Sequence, residues 1–333
     1  MLLDRLGRQS ARHHRLVIAL WILAVVLVSV GKGVVGGSFV DNFTVPGTES
    51  QTAVDLLTER FSAQSGIGAS VVIVSPTGSV SDPAAATAIA QTQAKIESLA
   101  LVSGVEVLPS PTTPNIELLN VQYSGTFDQI GKSGYADLVA ATAPATAGGL
   151  DVNFGGQLTD YAVAPPNSPA DFIGLLLSVV ILVFAFGAIV AAGLPIITAL
   201  FGLAVGVTSI SIIAAFTNVG TVAPLLAIMI GLGVGIDYSL FIVTRHRENR
   251  AAGMEIEDSI ARATGTAGQA VLFAGITVVI AITGLVIAGI PYVSNLGFMT
   301  ALVVFVMMIA ALTLIPALLG AFGDRINNGS VAR

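Results

Sequence analysis

Asp237 is the residue of this chain whose position asks for a chemical explanation. Of 20 acidic residues it alone falls inside an apolar run, Val222 to Val243. A charged Asp at the bilayer centre costs about 2.5–3.5 kcal/mol on insertion scales, so an acid there marks a functional site or lies near enough to an interface to escape the cost. Apolar surroundings favour the neutral carboxyl over the carboxylate. A group poised between those two forms can take up a proton from one side and release it to the other. The alternative reading is structural: Arg245 follows about two turns later, and Asp237 would snorkel or pair at that end.

The neighbours of Asp237 favour the functional reading. The stretch is Gly231-Leu232-Gly233-Val234-Gly235-Ile236-Asp237-Tyr238. On a helix, residues four apart share a face, so Gly231 stacks with Gly235 and Gly233 with Asp237. Small residues at this spacing let another helix approach closely, which would bury the acid against protein and away from lipid. Plain helix packing also explains the glycines, and the two roles are compatible. Tyr238 adds a hydroxyl able to donate to a carboxylate. Other intramembrane chemistry lacks its parts. An aspartyl protease needs a second carboxylate, and a Ser/His hydrolase needs a His, and no apolar run supplies either. Zero Cys excludes disulfide scaffolds, Fe–S clusters, thiolate zinc sites and cysteine nucleophiles. No catalytic residue, cofactor or metal site is expected.

The elements that must hold Asp237 follow from composition and length. Charged residues make up 10% of the 333 and hydrophobic ones 54%, against about 25% charged in a soluble domain. With 14 Lys plus Arg and a net charge of −6, the chain has no basic surface for nucleic acid. About 20 apolar residues cross a bilayer, and six runs qualify: Leu16 to Val30, Phe172 to Ala192, Leu194 to Phe216, Val222 to Val243, Ala267 to Ile290 and Leu296 to Phe322. The first, preceded by Arg5, Arg8, Arg12 and Arg15, also has the flanks of a signal peptide. No small-x-small cleavage site follows it, so an uncleaved span is expected. With the N-terminus inside, ten basic residues fall on the inner side. Four (Lys32, Arg60, Lys95 and Lys132) fall outside, as the positive-inside rule requires. The expected layout is residues 1–32 as cytoplasmic N-terminus and first span, 33–168 outside, and 169–322 as spans two to six. A cytoplasmic connector occupies 245–265 and a cytoplasmic tail 323–333.

The outer segment is the acidic part: 13 of the 20 acids lie between Asp41 and Asp171, the last just past residue 168, scattered as solvated surface charge. Thr48-Glu49-Ser50-Gln51 caps a helix bearing Val54, Leu57 and Phe61 on one face. Ala69–Ser75 reads as a buried strand. Ser81-Asp82-Pro83 opens a helix to about Leu101, Val105–Leu108 and Ile116–Ser124 read as strands, Lys132–Ala143 as a helix, and Val152–Phe154 as a strand. The order α-β-α-β-β-α-β predicts a small α+β domain of split βαβ type.

Several motifs match a known family. Gly235-Ile236-Asp237-Tyr238-Ser239-Leu240-Phe241 followed by Arg245-His246-Arg247-Glu248 resembles the fourth helix of the MMPL (mycobacterial membrane protein large) branch of the resistance–nodulation–division (RND) transporters. Val45-Pro46-Gly47-Thr48-Glu49-Ser50-Gln51 resembles the start of that family's porter domain. Thr266-Ala267-Gly268-Gln269-Ala270-Val271-Leu272-Phe273 is similar to its fifth helix and Leu314-Ile315-Pro316-Ala317-Leu318-Leu319-Gly320 to the end of its sixth. The resemblance implies an RND-type repeat: a polytopic α-helical protein of the bacterial inner membrane with six transmembrane helices and an extracytoplasmic α+β porter domain. It implies proton-driven export of lipids or other hydrophobic molecules, with Asp237 and Tyr238 as the proton-relay pair and Gly231, Gly233 and Gly235 packing around it. Membrane lipids, protons and a second RND repeat, on this or another chain, are the implied partners. Family members carry two repeats with facing Asp-Tyr pairs, and the present sequence matches the N-terminal one. Relatives often have Ser where this chain has Ala274 and Arg where it has Gln269. Spans two to six also resemble sterol-sensing modules, so a lipid-binding membrane module without pumping, or a structural half that acts only with a second repeat, stays open as the alternative.

Overall fold

The computed structural model describes residues 2–37, 39, 41, 44–60, 66–110, 112–125, 127–163, 177, 181, 189–323 and 325. The chain divides into two compact units, residues 1–45 with 169–333, and residues 46–168.

The first unit is helical: α1 Leu2–Arg12, α2 His14–Val35, and further along the chain the four long helices Ile189–Ile213, Val222–Ala251, Ile256–Thr283 and Pro291–Phe322. With α2, these make five helices long and apolar enough to cross a membrane. The second expected span, Phe172 to Ala192, lies almost wholly outside the described residues. The long helices run past the apolar runs because polar ends continue the helix beyond the hydrocarbon. Val222–Ala251 ends in Arg245-His246-Arg247-Glu248, and Ile256–Thr283 begins with Glu257 and Asp258.

The second unit comprises α3 Glu49–Arg60, β1 Ile67–Val74, α4 Pro83–Glu97, β2 Val102–Pro109, β3 Ile116–Tyr123, α5 Phe127–Ala141, α6 Ala143–Ala147, β4 Asp151–Gly155 and α7 Gln157–Ala162. The Thr48 hydroxyl accepts the Gln51 amide at 3.2 Å and starts α3. The sheet order is β2-β3-β1-β4 with every pair antiparallel. β1 and β2, joined through α4, are thus separated by β3, which is the split βαβ arrangement. Alternate residues of β1 (Ile67, Ala69, Val71 and Ile73) are buried against a core that includes Ile89, Ile96, Leu119, Val121 and Leu138. The helix expected to reach about Leu101 stops at Glu97 with Ser98 as its C-cap, and Leu101, at a left-handed φ of 65°, could not have continued it.

The remaining helices take the labels α8 Ile189–Ile213, α9 Val222–Ala251, α10 Ile256–Thr283 and α11 Pro291–Phe322. α11 is the hub, in contact with α1, α2, α8, α9 and α10, and buried over most of its length. α1 was expected only as a charged flank of the first span. It forms a helix because Gly7, Ser10 and Ala11 make a small-residue face that packs on α10 and α11. A methyl at Gly7 would stand 2.6 Å from Thr264, and one at Gly320 2.6 Å from the Ala11 carbonyl oxygen. Arg8 pairs with Asp258 at 2.7 Å and Arg12 with Glu257 at 2.8 Å. Both pairs are half-exposed and contribute about 0–1 kcal/mol each, so packing holds α1 and the ion pairs set its register.

The α9–α10 turn is closed by buried polar groups. His246 is 2% and Ser259 0% exposed. The Ser259 hydroxyl donates to the His246 carbonyl at 2.9 Å and lies 2.8 Å from His246 Nδ1, so Nδ1–H donates to it. Asn249 donates to the Ser259 carbonyl at 3.2 Å. At the opposite end Asp41 accepts the Thr221 amide at 2.8 Å and its hydroxyl at 2.6 Å, capping the entrance to α9. Ser259→Ala should leave His246 Nδ1 without its partner and cost about 1–3 kcal/mol. Thermal unfolding in mild detergent should read this as a lower Tm, whereas an unchanged Tm would show that the turn is held by packing alone.

Candidate functional site

α9 carries Asp237 on a helix whose sides differ sharply. Ala223, Ala227, Gly231, Gly235, Tyr238, Ile242, His246 and Asn249 are buried, a spacing of three and four that marks one face. Ile230, Gly233, Asp237 and Phe241 are exposed on the other. The glycines therefore form two stripes with different tasks. A methyl at Gly231 would stand 2.7 Å from Val303 Cγ1, and one at Gly235 2.9 Å from the Met307 sulfur and 3.3 Å from Ala199 Cβ. α8 makes the matching approach from its side, where methyls at Gly202 and Gly206 would stand 2.5 Å from the Met307 sulfur and 3.0 Å from Val303 Cγ2. Val303 and Met307 of α11 are thus clasped between four glycines of two helices. Gly233, one turn from Asp237, meets nothing within 4 Å.

This clasp sets the rotation of α9, and the rotation separates the two relay residues. Asp237 opens away from α8, α10 and α11, with no hydrogen bond or ion pair among the described residues. Tyr238, 100° further round the helix, is 6% exposed and belongs to the buried cluster that also holds Met308, Leu312 and Ile315 of α11. Its hydroxyl is buried without a hydrogen-bond partner among the described residues. Within this chain Tyr238 does not donate to Asp237, because adjacent residues of a helix do not face each other. The expectation that one small-residue face carries both glycine pairs and the acid is corrected in the same way. Gly231 and Gly235 serve packing inside the unit, and Gly233 and Asp237 form the open stripe. On α10, Gln269 is exposed, while Ala274 is half-buried against the core that holds Tyr238.

Several hydroxyls of the spans are satisfied locally. Thr198, Ser209, Ser239, Thr277, Thr283 and Thr313 each donate to the carbonyl four residues earlier in their own helix. Asp237 and the buried Tyr238 hydroxyl have no such local partner among the described residues. The Gly202–Gly206 spacing in α8 is a small-xxx-small signal already present in the sequence. The His246–Ser259 contact was not legible, because no local pattern links residues 13 apart across a turn.

A family model described as the MMPL family matches residues 42–330. Membrane protein YdfJ of Bacillus subtilis is 32% identical over 333 residues, covering 98% of this chain and 46% of the relative. Putative membrane protein SCO6666 of Streptomyces coelicolor is 32% identical, covering 98% of this chain and 47% of its own length. Trehalose monomycolate exporter MmpL3 of Mycobacterium tuberculosis is 33% identical over 165 residues, 50% of this chain and 18% of the exporter. The chain thus spans about half the length of the curated relatives that it matches along nearly its whole length.

The two glycine stripes separate in a stability test. Gly231→Ala should overpack Val303 and Leu203, costing about 1–3 kcal/mol, only partly offset by the better helix propensity of Ala, at most about 1 kcal/mol. Gly233→Ala, with open space, should keep or raise stability. Thermal melting of the two variants in one detergent should therefore move in opposite directions, and equal losses would contradict the assigned rotation of α9.

Proposed function

The chain belongs to the MMPL family, and from that premise we propose that it forms one repeat of a proton-driven exporter of lipids or other hydrophobic molecules. The observation that carries this reading is Asp237: a carboxylate on a membrane-crossing helix, facing away from its own bundle, beside a glycine that leaves room for another helix. Membrane insertion does not favour such an acid unless it serves a purpose. A second repeat, from this or another chain, seats on the Gly233–Asp237 stripe and removes the acid from lipid. The buried Tyr238 hydroxyl is the other half of the relay and takes its partner from the assembled site.

In this mechanism Asp237 is protonated from the outer side and releases the proton to the cytoplasm. The membrane potential supplies about 2.3 kcal/mol per charge per 100 mV. Neutral and charged Asp237 favour different packings of α9 against the facing repeat. That shift travels through the segment after residue 168 to the α+β unit, which acts as the porter domain. The protein lies in the bacterial inner membrane with both termini cytoplasmic and residues 33–168 extracytoplasmic, an orientation supported by the ten-to-four division of basic residues. The lipid cargo named for MmpL3 supports a lipid or hydrophobic substrate class here.

Two measurements test the reading. In proteoliposomes of the assembled transporter, Asp237→Asn should abolish transport that depends on a pH gradient while the protein still folds and inserts. Retained proton-dependent transport would rule out the relay. For orientation, Asp128→Cys in this Cys-free background should react with a membrane-impermeant thiol reagent added to intact cells, and labelling only after the membrane is opened would reverse the topology.

A further inference from the structure

At the elbow between α1 and α2 a groove of about 520 Å³ opens between the two helices and α11, within the roughly 300–1,000 Å³ range of ligand sites. Its polar end is formed by Gln9, Ser10 and His13, and its inner wall by Trp21 and Thr313. It continues, sharing Leu20 and Trp21, into an apolar slot of about 270 Å³ closed by Ala24, Val205 and Ile309. From His13 to Ala24 the groove follows α2 for about 16 Å at ~1.5 Å per residue. One leaflet of a ~30 Å hydrocarbon core is about 15 Å deep. Groove and slot together thus run about one leaflet deep, polar at the mouth and apolar at the inner end.

The polar mouth is built and not incidental. Ser10 is 4% exposed and lines the groove, yet its hydroxyl has no hydrogen-bond partner among the described residues. The Trp21 indole donates to Thr313 at 3.1 Å and Thr313 donates to Ile309 at 2.7 Å, so the inner wall is fixed and its own polar atoms are satisfied. The charge of the two framing helices is positive. Asp258 and Glu257 neutralise Arg8 and Arg12, whereas Arg5 and Arg15 are exposed and have no carboxylate partner among the described residues. A phosphate at the mouth meets the Ser10 hydroxyl and the His13 imidazole, on two helices that also carry the uncompensated Arg5 and Arg15, while an acyl chain fills the slot.

We propose that this groove is a binding site for a glycerophospholipid with an anionic headgroup, drawn from the leaflet on the side of the amino terminus. The acyl chain lies along α2 between Leu20, Ala24 and Ile309, and the phosphate lies at Gln9, Ser10 and His13. The site rests on α2 crossing the bilayer and not on Asp237 carrying protons. Loss of transport in Asp237→Asn and loss of lipid from the groove therefore report on separate claims.

Native mass spectrometry of the full chain, released from nanodiscs holding equal phosphatidylglycerol and phosphatidylcholine, reads the site directly. The wild-type chain should retain one phosphatidylglycerol in at least about tenfold preference over phosphatidylcholine. Arg5→Gln with Arg15→Gln should erase that preference without emptying the groove. Ala24→Phe, which fills the slot, should lower retention of both lipids about tenfold with little change in Tm. No retained lipid, equal retention of the two lipids by the wild type, or retention untouched by Ala24→Phe would overturn the proposal. Should Ala24→Phe fail to fold, the arginine pair decides alone: an unchanged preference would refute the anionic site.

Discussion

The close approach of Gly231 and Gly235 of α9, and of Gly202 and Gly206 of α8, to Val303 and Met307 of α11 is the contact on which the membrane unit turns. Between helices in lipid there is no hydrophobic drive, because lipid tails are as apolar as leucine. Association then depends on how closely surfaces fit. Glycine at four places lets one Val and one Met of the central helix sit where side chains would otherwise collide. The fit has a direction as well as a depth. Once Gly231 and Gly235 face α8 and α11, the helix cannot turn, and Asp237 must lie on the side that none of these helices covers.

Polar groups follow a second constraint, that each needs a partner when water is absent. Hydroxyls within the spans meet it at short range, by bonding back to carbonyls four residues earlier. At the ends of the bundle the same need is met over long sequence distances, by Asp41 on Thr221 and by His246 on Ser259. Those contacts set where α9 begins and how it turns into α10, and so fix its height as the glycines fix its rotation. Asp237 and the Tyr238 hydroxyl are left outside this economy. Their polarity is what the proposed proton relay would use.

The amino-terminal helix shows how charge and packing divide their tasks. Gly7 and Ala11 bring α1 against Thr264 and Gly320 at distances that only small residues allow. The ion pairs to Glu257 and Asp258 add direction and little energy. Two of the four arginines are consumed in this way, which leaves the outer side of the elbow positive and the groove beneath it polar at one end and greasy at the other.

The sequence by itself determined which of the described helices are long and apolar enough to cross a membrane, because hydrophobicity over about 20 residues is a local property that needs no partner. It also determined the element order of the α+β unit, since alternation, caps and turn residues act at short range, and it singled out Asp237, because an acid in an apolar run stands out by contrast alone. Helix ends were less legible: polar residues at 245–251 continue α9 where hydropathy stops, and Leu101 ends α4's neighbourhood through a backbone angle that no pattern announces. Only the tertiary structure decided that Asp237 and Tyr238 part company, that Gly231 and Gly233 serve opposite faces, and that residues 2–12 fold back as a helix. Each of these depends on the rotation of a helix about its own axis, and that rotation is set by the atoms of neighbouring helices far away in sequence.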